Sequence, residues 1–178
     1  MKLYLVRHGE TDWNAKGIIM GQADIPLNAN GVRQAEALRD KIIKSGLEFD
    51  AIYVSPLQRT TQTAQIIAPG FQMIFSNNLK ERAVGQFQGR PTKELFDGQI
   101  DFLDPGLNSG AFGVEPILQF HARAMVFLKD LPKFHPHDAK ILVVTSNGLM
   151  KRLASIITKT PPEDIPNFHN AEIYEYEI

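Results

Sequence analysis

The chain has 178 residues, 43% hydrophobic and 22% charged, with no cysteine and a formal net charge of −1. That length holds one full core. The near-neutral charge gives no electrostatic reason to expect nucleic acid or an anionic membrane as partner, and the missing thiols exclude disulfides and thiolate chemistry.

No apolar stretch approaches the roughly 20 residues of a membrane span. The apolar part of MKLYLVRHGE is too short for a secretory signal, so a cytoplasmic location is expected. Leu3 to Val6 is an unbroken apolar run, the pattern of a strand buried on both faces. A polar, glycine-bearing loop follows from Gly9 to Leu27. Asn28 then N-caps a helix whose apolar stripe runs through Val32, Ala35, Leu38, Ile42 and Ile43, and Gly46 stops it. Ala51 to Val54 predicts a second strand. A helix opens at Ser55-Pro56, turns Leu57, Thr61, Ala64, Ile67 and Ala68 inward, and ends at Pro69-Gly70. Gln72 to Phe75 predicts a third strand.

From Leu79 to Gly113 glycine and proline are frequent, and only Pro91 to Phe96 suggests a short helix. This irregular insert, 79–113, reads as a lid over a site. Helical spacing returns over Glu115 to Leu131 through Leu118, His121, Met125 and Leu128, and 132–138 reads as a loop. Ile141 to Val144 predicts a strand, Leu149 to Ile157 a helix, and Ile173 to Ile178 a last strand whose acidic residues place it near an edge. The alternation predicts an α/β three-layer sandwich, a mostly parallel central sheet flanked by helices, in a single domain covering 1–178.

In such folds ligands gather beyond the carboxyl ends of the strands. Three strand ends carry reactive residues: VRHGET, SPLQRT and TSNG. The first sets Arg7 beside His8. The second sets Arg59 in the first turn of a helix, where the dipole disfavours a cation unless it shares an anion with the helix start. Two arginines and a histidine facing one point suggest a phosphate pocket. Capped, solvated turns are the alternative reading of the same residues.

LYLVRHGETDWN resembles the opening motif of the histidine phosphatase superfamily, which includes cofactor-dependent phosphoglycerate mutase. GQADIPLNANGVRQA, SPLQRTTQTA, LKERAVGQFQG and GVEPILQFHARAMVFL are similar to further motifs of that family, so the likeness runs from about residue 2 to 157. The resemblance implies a nucleophilic role for His8, which becomes a phosphohistidine and must be neutral with one ring nitrogen free. It implies a clamp on the phosphoryl oxygens from Arg7 and Arg59, with Asn14 as a neutral donor. It makes Glu81 the acid that protonates the leaving alkoxide and then the base that activates water. It implies no metal and no other cofactor. Gly9 would allow close backbone approach beside the nucleophile, while Gly21, Gln22 and Ala23 would lie along the leaving-group side.

One position departs from the family. The turn VVTSNG has Ser146 where the resemblance calls for a second histidine. A charge-assisted bond contributes roughly 1.5–3 kcal/mol and a neutral one about 1 kcal/mol, so the change weakens the clamp without removing the nucleophile. Ser146 and the backbone of Asn147 are expected to fill the gap. His169 could substitute, but a surface or core role is the plainer reading. His135 and His137 of HPHD resemble a metal pair but read as solvated loop residues, and His121 as structural. The resulting expectation is a metal-independent phosphomonoester hydrolase acting on a small phosphorylated metabolite. The alternatives are an impaired phospho-ligand-binding protein and a phosphoglycerate mutase. A modest insert and a chain that stops soon after its last strand favour water access over transfer.

Overall fold

A computed structural model describes all 178 residues, the side chain of Phe96 excepted. The first apolar run forms β1 (Lys2–Arg7), and four further strands complete the sheet: β2 (Ala51–Val54), β3 (Met73–Phe75), β4 (Lys140–Thr145) and β5 (Ile173–Glu177). Their order is β3-β2-β4-β1-β5. The first three neighbour pairs are parallel, and β5 runs antiparallel on the edge beside β1. The fold is therefore the expected α/β sandwich with a mostly parallel sheet.

Residues alternate across a strand, so β1 feeds two cores. Leu3 and Leu5 face α5 (Ile117–Phe134) and α6 (Asn147–Thr158), packing with Phe120, Phe127, Met150 and Leu153. Tyr4 and Val6 face the other way, with Ala35, Leu38 and Ile42 of α2 (Ala29–Ser45) and Ala64 and Ile67 of α3 (Gln58–Ile67). Two short helices, α1 (Asp12–Ala15) and α4 (Lys93–Phe96), lie in the loops. The segment 79–113 has little regular structure. Its Val84, Phe87 and Ile100 join Ile19 and Val114 in a third apolar cluster.

The helix ends follow their caps. The Asn28 side chain accepts the Gly31 N–H, and Gly46 closes α2 in the left-handed region at φ 66°. The phase of two helices differs from the pattern reading. On α2 the buried face is Gly31, Ala35, Leu38 and Ile42, leaving Ile43 69% exposed and Val32 exposed as well. On α5 the buried row is Phe120, Ala124, Phe127 and Leu131, one residue behind the expected stripe, and Leu118 is 78% exposed. Both rows of α5 are largely apolar, His121 excepted, but the phenylalanine row buries far more area, so packing selects it. The same helix runs through Pro132 to Phe134 where a loop was expected. Proline forfeits one ladder bond, and the His135 N–H still closes the last turn on Leu131 O at 3.1 Å.

Register decides what meets at the sheet's carboxyl edge. Arg7 pairs with Thr145 at the ends of β1 and β4. The ladder continues one step further, with His8 N–H on Thr145 O at 3.0 Å and Ser55 N–H on Val144 O at 3.0 Å. His8, Ser146 and the start of α3 thus emerge side by side.

Candidate active site

Beyond that edge lies a cavity of about 730 Å³, bordered by Arg7, His8, Asn14, Arg59, Glu81 and Ser146 among others. Close backbone packing sets the loop after β1. A Cβ on Gly9 would meet the backbone of Gly31, and one on Gly31 would meet the backbone of Glu10. The close approach expected at Gly9 is therefore to α2.

His8 is 2% exposed. Its Nδ1 lies 2.7 Å from Gly9 O. A carbonyl only accepts, so Nδ1 carries the proton and Nε2 is the nitrogen with a free lone pair. Burial, then the charge of Arg59, then that of Arg7 drive the His8 pKa well below 6.5, against the opposing bond to Gly9. The ring is neutral near pH 7. Asn170 Nδ2 holds His8 O at 2.8 Å, and Thr63 Oγ1 takes the Gly9 N–H at 3.0 Å. Thr63 sits one turn after Arg59 on the same face of α3 and donates back to Arg59 O at 2.7 Å.

Arg59 is fully buried without a salt bridge to any carboxylate among the described residues. Its Nη1 donates to Ala23 O at 2.7 Å and its Nη2 to Gly21 O at 2.9 Å, with Ser146 Oγ 3.5 Å from Nη2. Arg7 donates from Nη1 to Phe168 O at 2.7 Å. The Nε of each arginine is buried without a protein partner among the described residues. Burial lowers the pKa of both guanidinium groups, and the charge of Glu81 opposes this in each case. Two cations with unused donors beside a neutral imidazole make a site for a dianion.

Glu81 also lines the cavity. Its Oε2 accepts the Gly148 N–H at 2.9 Å in the first turn of α6, and its Oε1 accepts the Arg82 N–H at 2.8 Å. The loop carrying it is held from behind. Arg123 Nη2 donates to Glu81 O at 2.9 Å, its Nη1 to Asn78 O at 2.8 Å and Lys80 O at 2.5 Å, and its Nε pairs with Glu115 at 2.7 Å. Pattern reading missed Arg123, Thr63, Phe168 and Asn170. Only the one-turn spacing of Arg59 and Thr63 left a signal in the sequence.

Asn14 borders the cavity, and its Oδ1 is engaged by the Thr11 N–H at 3.1 Å in the capping box of α1. Gly21 also borders it. Gln22, expected at the substrate, does not line the cavity. Its Nε2 is committed to Glu81 O at 2.8 Å and its N–H to Gln88 Oε1 at 3.0 Å, so it braces the Glu81 loop. Ala23 likewise acts through its carbonyl on Arg59. Asn147 lines the cavity, with its Nδ2 on Asn167 at 3.0 Å and its Oδ1 taking the Phe168 N–H at 2.9 Å. Ser146, 2% exposed, is the N-cap of α6 but makes no side-chain cap bond.

The other histidines lie elsewhere. His169 is exposed in a separate groove with Gln34 and Lys41. His135 lies 2.8 Å from Tyr53 OH, where a solvated loop residue was expected, and His137 is exposed. Among the described residues no three His, Cys, Asp or Glu side chains gather as a metal site, and no helix is long and apolar enough to cross a membrane.

A family model described as the histidine phosphatase superfamily, branch 1, matches residues 3–178. The metal-independent phosphoserine phosphatase of Arabidopsis thaliana is 35% identical over 172 residues, covering 89% of this chain and 69% of that protein. The solved phosphoserine phosphatase of Entamoeba histolytica, in complex with 3-phosphoglyceric acid, aligns with a TM-score of 0.78 at 29% identity, covering 98% of this chain and 89% of that one. The phosphoglycerate mutase structure from Thermus thermophilus aligns with a TM-score of 0.73 at 26% identity, covering 98% and 92% of the two chains.

Proposed function

The chain belongs to branch 1 of the histidine phosphatase superfamily, and from that premise we propose that it hydrolyses phosphomonoesters through a phosphohistidine on His8. The observation that carries this reading is the His8 ring: Nδ1 is tied to Gly9 O at 2.7 Å, and Nε2 is left as the nucleophile beside the buried Arg59 and the half-buried Arg7.

Nε2 attacks phosphorus and the ester P–O bond breaks. Arg7 and Arg59 balance the charge that spreads over the phosphoryl oxygens, with the Ser146 hydroxyl and Asn14 as neutral donors. The departing alkoxide takes a proton from Glu81. Water then attacks the phosphohistidine, Glu81 recovers the proton, and phosphate leaves with Nε2 free again. Water and ester enter; alcohol and phosphate leave. The name of the Arabidopsis relative supports turnover without a metal, the guanidinium pair supplying the positive charge.

The test is phosphate release from p-nitrophenyl phosphate in excess chelator. Release that is abolished in His8→Ala, with an acid-labile phosphoryl label on the unaltered chain, supports the reading. Binding of phosphate esters with turnover no faster than His8→Ala would replace it with a binding role. Phosphoryl return to a glycerate acceptor in preference to water would make the chain a mutase.

A further inference from the structure

We propose that the alcohol released here is apolar and of aromatic size, unlike the amino acid or three-carbon acid for which the phosphoserine phosphatase and phosphoglycerate mutase relatives are named. The proposal rests on the phosphatase reading and specifies its substrate class.

The phosphate-binding groups occupy one part of a cavity of about 730 Å³, a volume that encloses most of a drug-sized molecule. Elsewhere its wall is built from Ile19, Val84, Leu95, Phe102, Ile117 and Phe120. This wall is a consequence of how the 79–113 segment folds. Ile19 and Val84 belong to the third apolar cluster, and Leu95 and Phe102 pack against that cluster while remaining half-buried. Phe102 is fixed edge-on to Phe87 with ring centroids 5.6 Å apart, and Arg82 lies over its ring. An apolar surface of this kind is shielded from water only when a ligand of matching character covers it.

The polar groups of the wall suit an ammonium-bearing alcohol poorly, because cations outnumber free carboxylates there. Among the described residues the carboxylates bordering the cavity are Glu81 and Glu163. Both oxygens of Glu81 already accept backbone N–H groups, and Glu163 is exposed. Among the described residues a serine ammonium therefore finds no buried carboxylate there that is not already engaged. Arg82 is occupied through Nε by Glu115 O at 2.8 Å and through Nη2 by Phe102 O at 3.0 Å and Asn108 at 3.1 Å. Lys151 and Arg152 also border the cavity and would pair with a carboxylate. A three-carbon acid bound to them still leaves the apolar wall facing water.

The experiment compares ethyl, n-hexyl and 2-(1-naphthyl)ethyl phosphate, whose leaving alcohols differ little in basicity, with O-phosphoserine, whose alcohol leaves more readily. The expected result is a rise in kcat/KM of about fourfold per methylene buried and at least about 100-fold from ethyl to naphthylethyl, with phosphoserine no better than ethyl phosphate. Phe102→Ala should narrow the naphthylethyl-to-ethyl ratio about tenfold. Leu103→Ser, at a mouth position 64% exposed that poses no folding risk, should narrow it less. A flat or falling series, or a preference for phosphoserine, overturns the proposal. If no ester is turned over faster than by His8→Ala, the phosphohistidine reading fails instead. The substrate class is then read from calorimetric binding of the matching phosphonates: tighter naphthylethyl binding supports it, and equal binding overturns it.

Discussion

Burying His8 neutral between two arginines links the stability of the fold to pH. The unfolded imidazole titrates near 6.5, and the folded one well below that because of burial, Arg59 and Arg7. Below about pH 6.5 the unfolded state therefore binds the extra proton. The stability contributed by a neutral His8 is fully present above that pH and is lost as pH falls toward the depressed folded value. One proton corresponds to up to about 1.4 kcal/mol per pH unit, so about 1.4 kcal/mol disappears between about pH 7.5 and pH 5.5. With a urea dependence of about 2 kcal/mol per molar, the unfolding midpoint drops by about 0.7 M. The assay is urea unfolding followed by Trp13 fluorescence at both pH values, for the unaltered chain and His8→Asn. The asparagine amide still offers Gly9 O a donor but does not titrate. His121 also has a lowered pKa, from burial and Arg152; it acts equally in both proteins and cancels in the difference. The stability difference between the two chains should fall by about 1.4 kcal/mol over this range, and parallel pH profiles would refute the buried neutral imidazole.

Three further outcomes follow from the geometry. Ser146→His places an imidazole N–H beside Arg59, a donor that becomes charge-assisted only when the bound phosphoryl dianion offsets Arg59, and should raise kcat for phosphate release roughly tenfold, while Ser146→Ala should lower it about fivefold. Arg123→Ala leaves the half-buried Glu115 unpaired and should destabilise the fold by about 3 kcal/mol or more in chemical unfolding. It should also slow alkyl esters more than aryl esters, because poor leaving groups depend most on a well-placed Glu81, and Arg123→Lys should restore part of both losses. In Gly148→Ala the new Cβ would collide with the Glu81 carboxylate. Alanine favours the helix by about 1 kcal/mol, so stability should hold or rise while kcat falls at least tenfold, a split that a general packing defect would not produce.

The sequence revealed local features well and tertiary choices poorly. Asn28 and Gly46 bracket α2 because a cap is a local interaction among neighbours. The phase of α5 was not legible: its sequence offers two apolar rows, and only the facing Leu5 and Val143 side decides in favour of Phe120 and Phe127. Arg7, His8 and Arg59 were legible as a group because parallel strands deliver their carboxyl ends to one place. The supports were not. Arg123 and Gln22 both bond the main-chain oxygen of Glu81, and the support of Arg7 is the main-chain oxygen of Phe168. Every residue carries such an oxygen, so no residue type marks it in advance.

Ser146 shows how a local rule and a site requirement can meet at one position. A serine before a helix ordinarily caps it, accepting an N–H of the first turn. Here the Gly148 N–H goes instead to Glu81, 2.9 Å away, and Ser146 makes no cap bond. The carboxylate suits that end of α6, where the helix dipole favours a negative charge. Capping therefore does not account for the Ser146 side chain, and its hydroxyl remains beside Arg59 at the cavity wall. Glu81 is fixed twice over, by α6 in front and by Arg123 behind. Helix start and Glu81 loop thus hold each other in place, and a change at Gly148 or Arg123 should disturb the proton transfer proposed for Glu81.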